Sequence, residues 1–150
     1  MNNKIKNFFR LFLPIIIGGI VGFLIKDYID YEYINKPPLA PPKIFFPIAW
    51  SIIYLLMGIS YYLFRKDHED TLTTIVYYIQ LFINALWSIV FFIFKWRFFS
   101  ILWIILLDIF VILLIYLFYK KKPISAYLNI PYLLWSLFAT YLTIGIYILN

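Results

Sequence analysis

Five long apolar runs, each set off by a charged or proline-rich joint, organise the chain. The first covers about residues 8–25, after Lys4, Lys6 and Arg10. The others cover about 44–64, 72–94, 98–119 and 125–149. At about 1.5 Å per helical residue, each of these four is long enough to cross a hydrocarbon core of about 30 Å. The pattern predicts an all-α integral membrane protein: a bundle of five transmembrane helices, one domain over residues 1–150. The basic start and apolar core of the first run resemble a signal peptide. The run is long, however, lacks a small-x-small cleavage site and precedes four more spans, so it reads as a membrane helix. Pro14 near its start is tolerable in the first turns of a helix. Gly18, Gly19 and Gly22 form a small face with GxxxG spacing, which another helix can approach closely.

The longest joint, 26–43, holds Asp27, Asp30, Glu32 and the run Lys36-Pro37-Pro38-Leu39-Ala40-Pro41-Pro42. Its prolines forbid a helix and favour extended polyproline geometry. A joint this long between two spans reads as a structured cap rather than a slack tether. The remaining joints are short: 65–71, Lys95-Trp96-Arg97, with Trp96 suited to the membrane interface, and Lys120-Lys121-Lys122-Pro123. No internal repeat is visible, which argues against an inverted-repeat transporter. The N-terminus and the second and fourth joints carry eight Lys and Arg residues, against five on the other side. That bias predicts a cytoplasmic N-terminus.

Composition sharpens the picture. The chain is 65% hydrophobic and 13% charged, with a mean hydropathy of +0.90, so its solvent is lipid. The net charge of +6 sits at segment ends. It reads as topology signal and headgroup anchoring, with no nucleic-acid partner implied. There is no cysteine, and the sole histidine, His68, lies among Asp67, Glu69 and Asp70 in a joint. Metal centres and Ser-His-Asp chemistry are therefore not expected.

Polar and tryptophan residues recur at helical spacing inside the spans. Gln80, Asn84, Trp87, Ser88 and Phe91 share one face of the third span. Trp50, Tyr54, Met57, Gly58 and Tyr61 do so in the second. Trp135, Phe138, Ala139 and Leu142 do so in the fifth, one turn after Pro131, which can bend the helix and open room beside it. Carboxamides in hydrocarbon need partners, so these faces point inward. Two readings stand side by side: a flat-walled apolar slot for a planar ligand, or polar glue between helices. Asp108 is the one ionisable residue at the centre of a span. A carboxylate there costs about 2.5–3.5 kcal/mol on insertion scales. With no intramembrane cation to pair with, it reads as a structural group hydrogen-bonded to a neighbouring helix, ahead of a proton relay or ligand anchor.

Trp50-x3-Tyr54-x2-Met57-Gly58, Asn84-x2-Trp87 with Phe91-Phe92, and Pro131-Tyr132-x2-Trp135-x2-Phe138-Ala139-Thr140, together with the Pro-Pro loop, resemble the translocator protein family, also called tryptophan-rich sensory proteins (TspO/MBR). The resemblance runs from Gly18-Gly19 to Asn150. It implies a tightly packed five-helix bundle, often a homodimer, whose first loop lids a pocket. It implies a binding protein for porphyrins and related tetrapyrroles, acting in transport, sequestration or stress signalling, with porphyrin or haem as ligand and no cofactor required. Carried over by position, the pocket is lined by Phe23, Trp50, Asn84, Trp87, Trp135, Phe138, Ala139 and Leu142. Some bacterial members are reported to break down porphyrin in light with two pocket tryptophans. Trp50 and Trp135 occupy those positions, which makes them the candidate catalytic residues on an enzyme-like reading. A structural partner for other membrane proteins is the third reading. The match looks bacterial and implies the cytoplasmic membrane.

Departures from the family pattern narrow these expectations. Leu39 and Ile44 stand where the family loop often has Trp, so those stacking rings are missing from the lid. Nothing basic follows Lys122, so the family's cholesterol motif is absent, which argues against a sterol ligand. Thr143 replaces a family Asn. The family's fourth-span acid aligns with Trp103, which leaves Asp108 without a family role. Without cysteine, and with His68 in a joint, no good ligand for haem iron stands out other than Met57.

Overall fold

The computed structural model describes residues 2–150. Five helical segments are long and apolar enough to cross a membrane, and the described residues contain no strand. Helix α1 is Asn3–Ile25, followed by 3₁₀ turns at Lys26–Tyr28 and Tyr31–Tyr33. Helix α2 is Phe45–Asp67. Helix α3 is Thr71–Ser88, extended by a π-turn at Ile89–Ile93. Helix α4 is Arg97–Lys121. The fifth span is split into a short α5, Pro123–Tyr127, and α6, Ile130–Leu149.

The helices form a ring in the order α1, α2, α5 and α6, α4, α3, with α3 returning to α1. The main seams are α1 on α2, α4 on α6 and α3 on α4, while α2 meets α6 only lightly. Large apolar side chains such as Phe82, Leu134 and Ile148 cover the outside, as a lipid solvent requires. Inside, aromatic packing dominates: Tyr61 and Tyr77 stack with centroids 3.9 Å apart and rings within 3° of parallel.

Local sequence explains the helix ends. Asn2 caps α1 by accepting from the Lys4 amide at 2.8 Å. Asp70 caps α3 by accepting from the Thr73 amide at 3.2 Å. The π-turn ends α3, with the amide of Phe94 on Ile89 O and that of Trp96 on Val90 O.

Three expectations need correction. Helix α1 starts at Asn3 rather than near Phe8, so Pro14 lies in the helix interior, where it leaves the Arg10 carbonyl without its usual donor. Pro131 does not bend a continuous fifth helix. The break falls at 128–129, and Pro131 occupies the first turn of α6, where no amide donor is needed. The close helix approach is made only in part by the GxxxG face: Gly18 packs on α2, where a Cβ would sit 2.4 Å from the Tyr54 ring. A Cβ on Gly58 would run into the Leu11 carbonyl, whereas one on Gly19 or Gly22 would meet nothing within 4 Å. The seam therefore closes at Gly58 of α2, beside the Pro14 irregularity, and at Gly18 of α1, while Gly19 and Gly22 face open space.

The long first joint is a structured cap. Tyr31 Oη donates to Pro41 O at 2.6 Å, and Lys36 Nζ donates to the carbonyls of Tyr31 and Ile34. Asn35 exchanges hydrogen bonds with Asn150 and donates to the Leu149 carbonyl, and Tyr141 Oη donates to Pro38 O at 2.5 Å. Asp30 takes both oxygens to Arg97 Nη2 at 2.8 and 2.9 Å, with Lys95 Nζ at 3.3 Å. The cap is thus fastened to the end of α6 and to the α3–α4 joint.

Candidate functional site

Beneath the cap lies a cavity of about 800 Å³. That is within the range of small-molecule sites. Each wall follows from a sequence pattern. The C-terminal half of α1 contributes Gly18, Gly19, Val21 and Gly22; the missing side chains of Gly19 and Gly22 leave the space open, while Gly18 lets the Tyr54 ring pack close. Helix α2 contributes Phe46, Trp50 and Tyr54, the end of α3 and its π-turn Trp87 and Phe91, and α6 Trp135, Ala139, Leu142 and Thr143. From the cap come Ile29 and Tyr31, with Glu32 and Lys43 as the charged rim.

The aromatic rings are mutually braced. Trp50 lies on Tyr54 with centroids 5.6 Å apart and rings 25° from parallel. Trp50 meets Trp135 edge-on at 6.4 Å and Tyr132 edge-on at 6.4 Å. Trp87 stacks on Phe91 at 5.2 Å, and the Arg97 guanidinium sits 4.3 Å over the far ring of that pair. From the cap, Tyr31 packs edge-on against Phe46 at 5.0 Å, and Phe46 against Trp135 at 5.8 Å. Tyr31 and Phe46 thus supply lid rings that Leu39 and Ile44 do not. Leu39 is 84% exposed and points away from the cavity, in a left-handed backbone conformation with φ of 71°.

The floor is a directed hydrogen-bond chain. Tyr54 Oη donates to Asn84 Oδ1 at 2.6 Å, and Asn84 Nδ2 donates to Tyr132 Oη at 2.8 Å. Tyr132 Oη donates to Gln80 Oε1 at 2.7 Å, and Gln80 Nε2 reaches Met57 Sδ at 3.5 Å. Both carboxamides foreseen on α3 are therefore engaged by protein groups on α2 and α6. They fix the walls rather than face the cavity.

Trp50, Trp87, Trp135, Ala139 and Leu142 of the anticipated pocket come together on the wall. Asn84 lies one layer below, behind Tyr54. Phe138 sits beside Trp135 and Tyr141 and is not on the wall. Phe23 is 67% exposed on the outer face of α1, with Lys26 Nζ over its ring. Met57 is fully buried beneath the cavity, so its thioether does not reach the space. Sequence reasoning missed Ile29, Tyr31 and Lys43, since loop positions carry no helical period. The indole nitrogens of Trp87 and Trp135 are buried without a hydrogen-bond partner.

Comparison with known proteins fits this geometry. The TspO/MBR family model matches residues 10–149. The chain belongs to the TspO/MBR family. It is 37% identical over 123 residues to a "Tryptophan-rich protein TspO" of Archaeoglobus fulgidus, covering 80% of this chain and 79% of that one. A "Tryptophan-rich sensory protein" of Cereibacter sphaeroides is 30% identical over 119 residues, 79% and 75% of the two chains. A "Translocator protein homolog" of Schizosaccharomyces pombe is 30% identical over 144 residues, 92% and 88%. Family membership and five apolar helices make this TspO/MBR chain a multi-pass membrane protein.

Proposed function

We propose that this protein binds porphyrins and related tetrapyrroles within the membrane, in their transport, sequestration or stress signalling. The observation that carries the reading is the cavity itself: about 800 Å³, walled by Trp50, Tyr54, Trp87, Phe91 and Trp135, with small residues opposite. Flat rings on one side and glycines on the other suit a planar apolar body. Neither His68 nor Met57 reaches the space, and the hydroxyls of the lining Tyr31 and Tyr54 are engaged by Pro41 and Asn84, so recognition rests on stacking and shape. Absorbance titration of the purified protein with protoporphyrin and with haem, in darkness, tests this. Comparable saturable affinity for both is expected. Much tighter haem binding with an axial-ligand spectrum, or no saturation, refutes it.

A second reading is supported by the contact of Trp50 with Trp135 at 6.4 Å in the same wall. Two indoles so placed would give electrons to a photoexcited porphyrin, making the protein a light-dependent porphyrin-degrading activity. It predicts a new bilin-like product on illumination, lost in Trp50→Phe or Trp135→Phe with dark binding retained. A structural role in membrane assembly predicts instead no saturable ligand and a stoichiometric partner in pulldown. We place the protein in a bacterial cytoplasmic membrane as a homodimer with a cytoplasmic N-terminus. Cysteine-accessibility mapping and crosslinking in lipid check those assignments.

A further inference from the structure

Asp108 lies midway along α4, 6% exposed, on the seam with α6. Two hydroxyls from successive turns of α6 converge on its carboxyl. Ser136 Oγ contacts Oδ1, and Thr140 Oγ1 lies 2.5 Å from Oδ2. Thr140 Oγ1 also lies 3.0 Å from the Ser136 carbonyl oxygen. A threonine hydroxyl carries a single proton, and a carbonyl only accepts. If the hydroxyl donates back to the carbonyl, as helical threonines commonly do, its contact with Oδ2 requires the carboxyl to be the donor. With Asp108 protonated, the ring closes. Oδ2–H donates to Thr140, Thr140 donates to the Ser136 carbonyl, and the Ser136 hydroxyl donates to Oδ1. With an ionised carboxylate, one of Thr140's two contacts sets lone pair against lone pair.

No counter-charge is at hand. Among the described residues Asp108 takes part in no ion pair. The titratable side chains of the helices packed on α4 are Tyr77 and Tyr78 on α3, Tyr127 on α5, and Tyr132, Tyr141 and Tyr147 on α6. None is a cation, and the Tyr132 hydroxyl is committed to Gln80.

We propose that Asp108 is a proton-binding site inside the membrane, occupied at neutral pH, which clasps α4 to α6 through Ser136 and Thr140. These two residues directly follow Trp135 and Ala139, which line the cavity on the neighbouring face of α6. Loss of the proton leaves an unpaired charge in a closed seam, so α6 moves to hydrate it and carries that wall along. The site lies behind α6 and is independent of which ligand the cavity takes.

The other acidic side chains, Asp27, Asp30, Glu32, Asp67, Glu69 and Asp70, lie at or beyond the ends of the spanning helices. Infrared spectra of the protein in lipid at neutral pH should therefore show the C=O stretch of one protonated carboxylic acid. The band should shift in D2O and vanish in Asp108→Asn. Alkalinisation should remove it from the wild type. Alkalinisation should also lower Tm more steeply in the wild type than in Asp108→Asn, whose amide fills the same donor and acceptor positions. A wild-type spectrum without the band, or pH profiles of Tm that coincide, overturns the proposal. If Asp108→Asn does not fold, the wild-type spectrum decides alone.

Discussion

At the scale of single residues, Tyr54 joins the cavity to the bundle: its ring is wall and its hydroxyl is anchor. Tyr54→Phe keeps the wall but leaves Asn84 Oδ1 buried without that donor. An orphaned buried acceptor costs about 1–3 kcal/mol, so stability in detergent should fall by that amount, seen as a lower Tm, while the cavity keeps its shape. Lys43 is a different case. It shares the rim with Glu32 at 3.8 Å, and both side chains are about half exposed. On the tetrapyrrole reading, Lys43→Ala should weaken a dicarboxylic porphyrin and spare its diester. An exposed ion pair contributes about 0.2–1 kcal/mol, so the loss should not exceed about fivefold in a titration. The two residues were unequally legible. Tyr54 stands on a helical face whose period can be counted. Lys43 sits in a proline-rich joint, where only the fold decides which side chains look inward.

At the scale of the helices, the small residues divide the labour in a way that spacing does not reveal. Gly18 and Gly22 have the spacing of a helix-packing motif and both front the cavity, yet only Gly18 packs on a neighbour, the Tyr54 ring. Gly58, alone in its face, is where the α1 backbone comes closest to α2. Gly58→Ala pushes a methyl into the Leu11 carbonyl, a rigid backbone atom. Overpacking of this kind costs about 1–3 kcal/mol, and Tm should fall accordingly. Gly19→Ala meets open space within a helix, so it should not lower Tm and should raise it slightly through the better helix former. Span number and inward faces were readable because lipid enforces apolar length and leaves buried carboxamides no other direction. The break at 128–129 and the π-turn at Ile89–Ile93 were not readable. Both depend on partners from other helices: Asn129 donates to Ser60 Oγ, and Arg97 Nε to the Phe91 carbonyl. A single apolar run contains no signal for either.

At the scale of the whole molecule, one ionic contact joins the cap to the cavity wall. Asp30 belongs to the cap, Arg97 to the start of α4, and the Arg97 guanidinium lies over Phe91, which stacks on Trp87. Partial burial raises the Asp30 pKa, but hydrogen bonding and charge from Arg97, with Lys95 behind, outweigh it and hold the carboxyl below its ordinary value of 3.8. The linkage has a definite sign. Because the fastened state binds the proton more weakly than the free cap, the contact is at full strength above that ordinary value. It weakens as pH falls through the lowered one. Asp70 is also held low, first by its hydrogen bond from Thr73, so acid acts on the opposite end of the bundle in the same window. Site-directed variants separate the two ends. Hydrogen exchange read by mass spectrometry over residues 26–44 should accelerate on acidification below about pH 4 in the wild type. In Asp30→Asn and Arg97→Gln the same segment should exchange faster already at neutral pH and respond little to further acid. Exchange around 71–74 should keep its acid response in both variants. Cap exchange in Asp30→Asn that matches the wild type at every pH would mean that the cap is held by Tyr141 and Asn150 at its other end, and that the path from Asp30 to Trp87 carries no force.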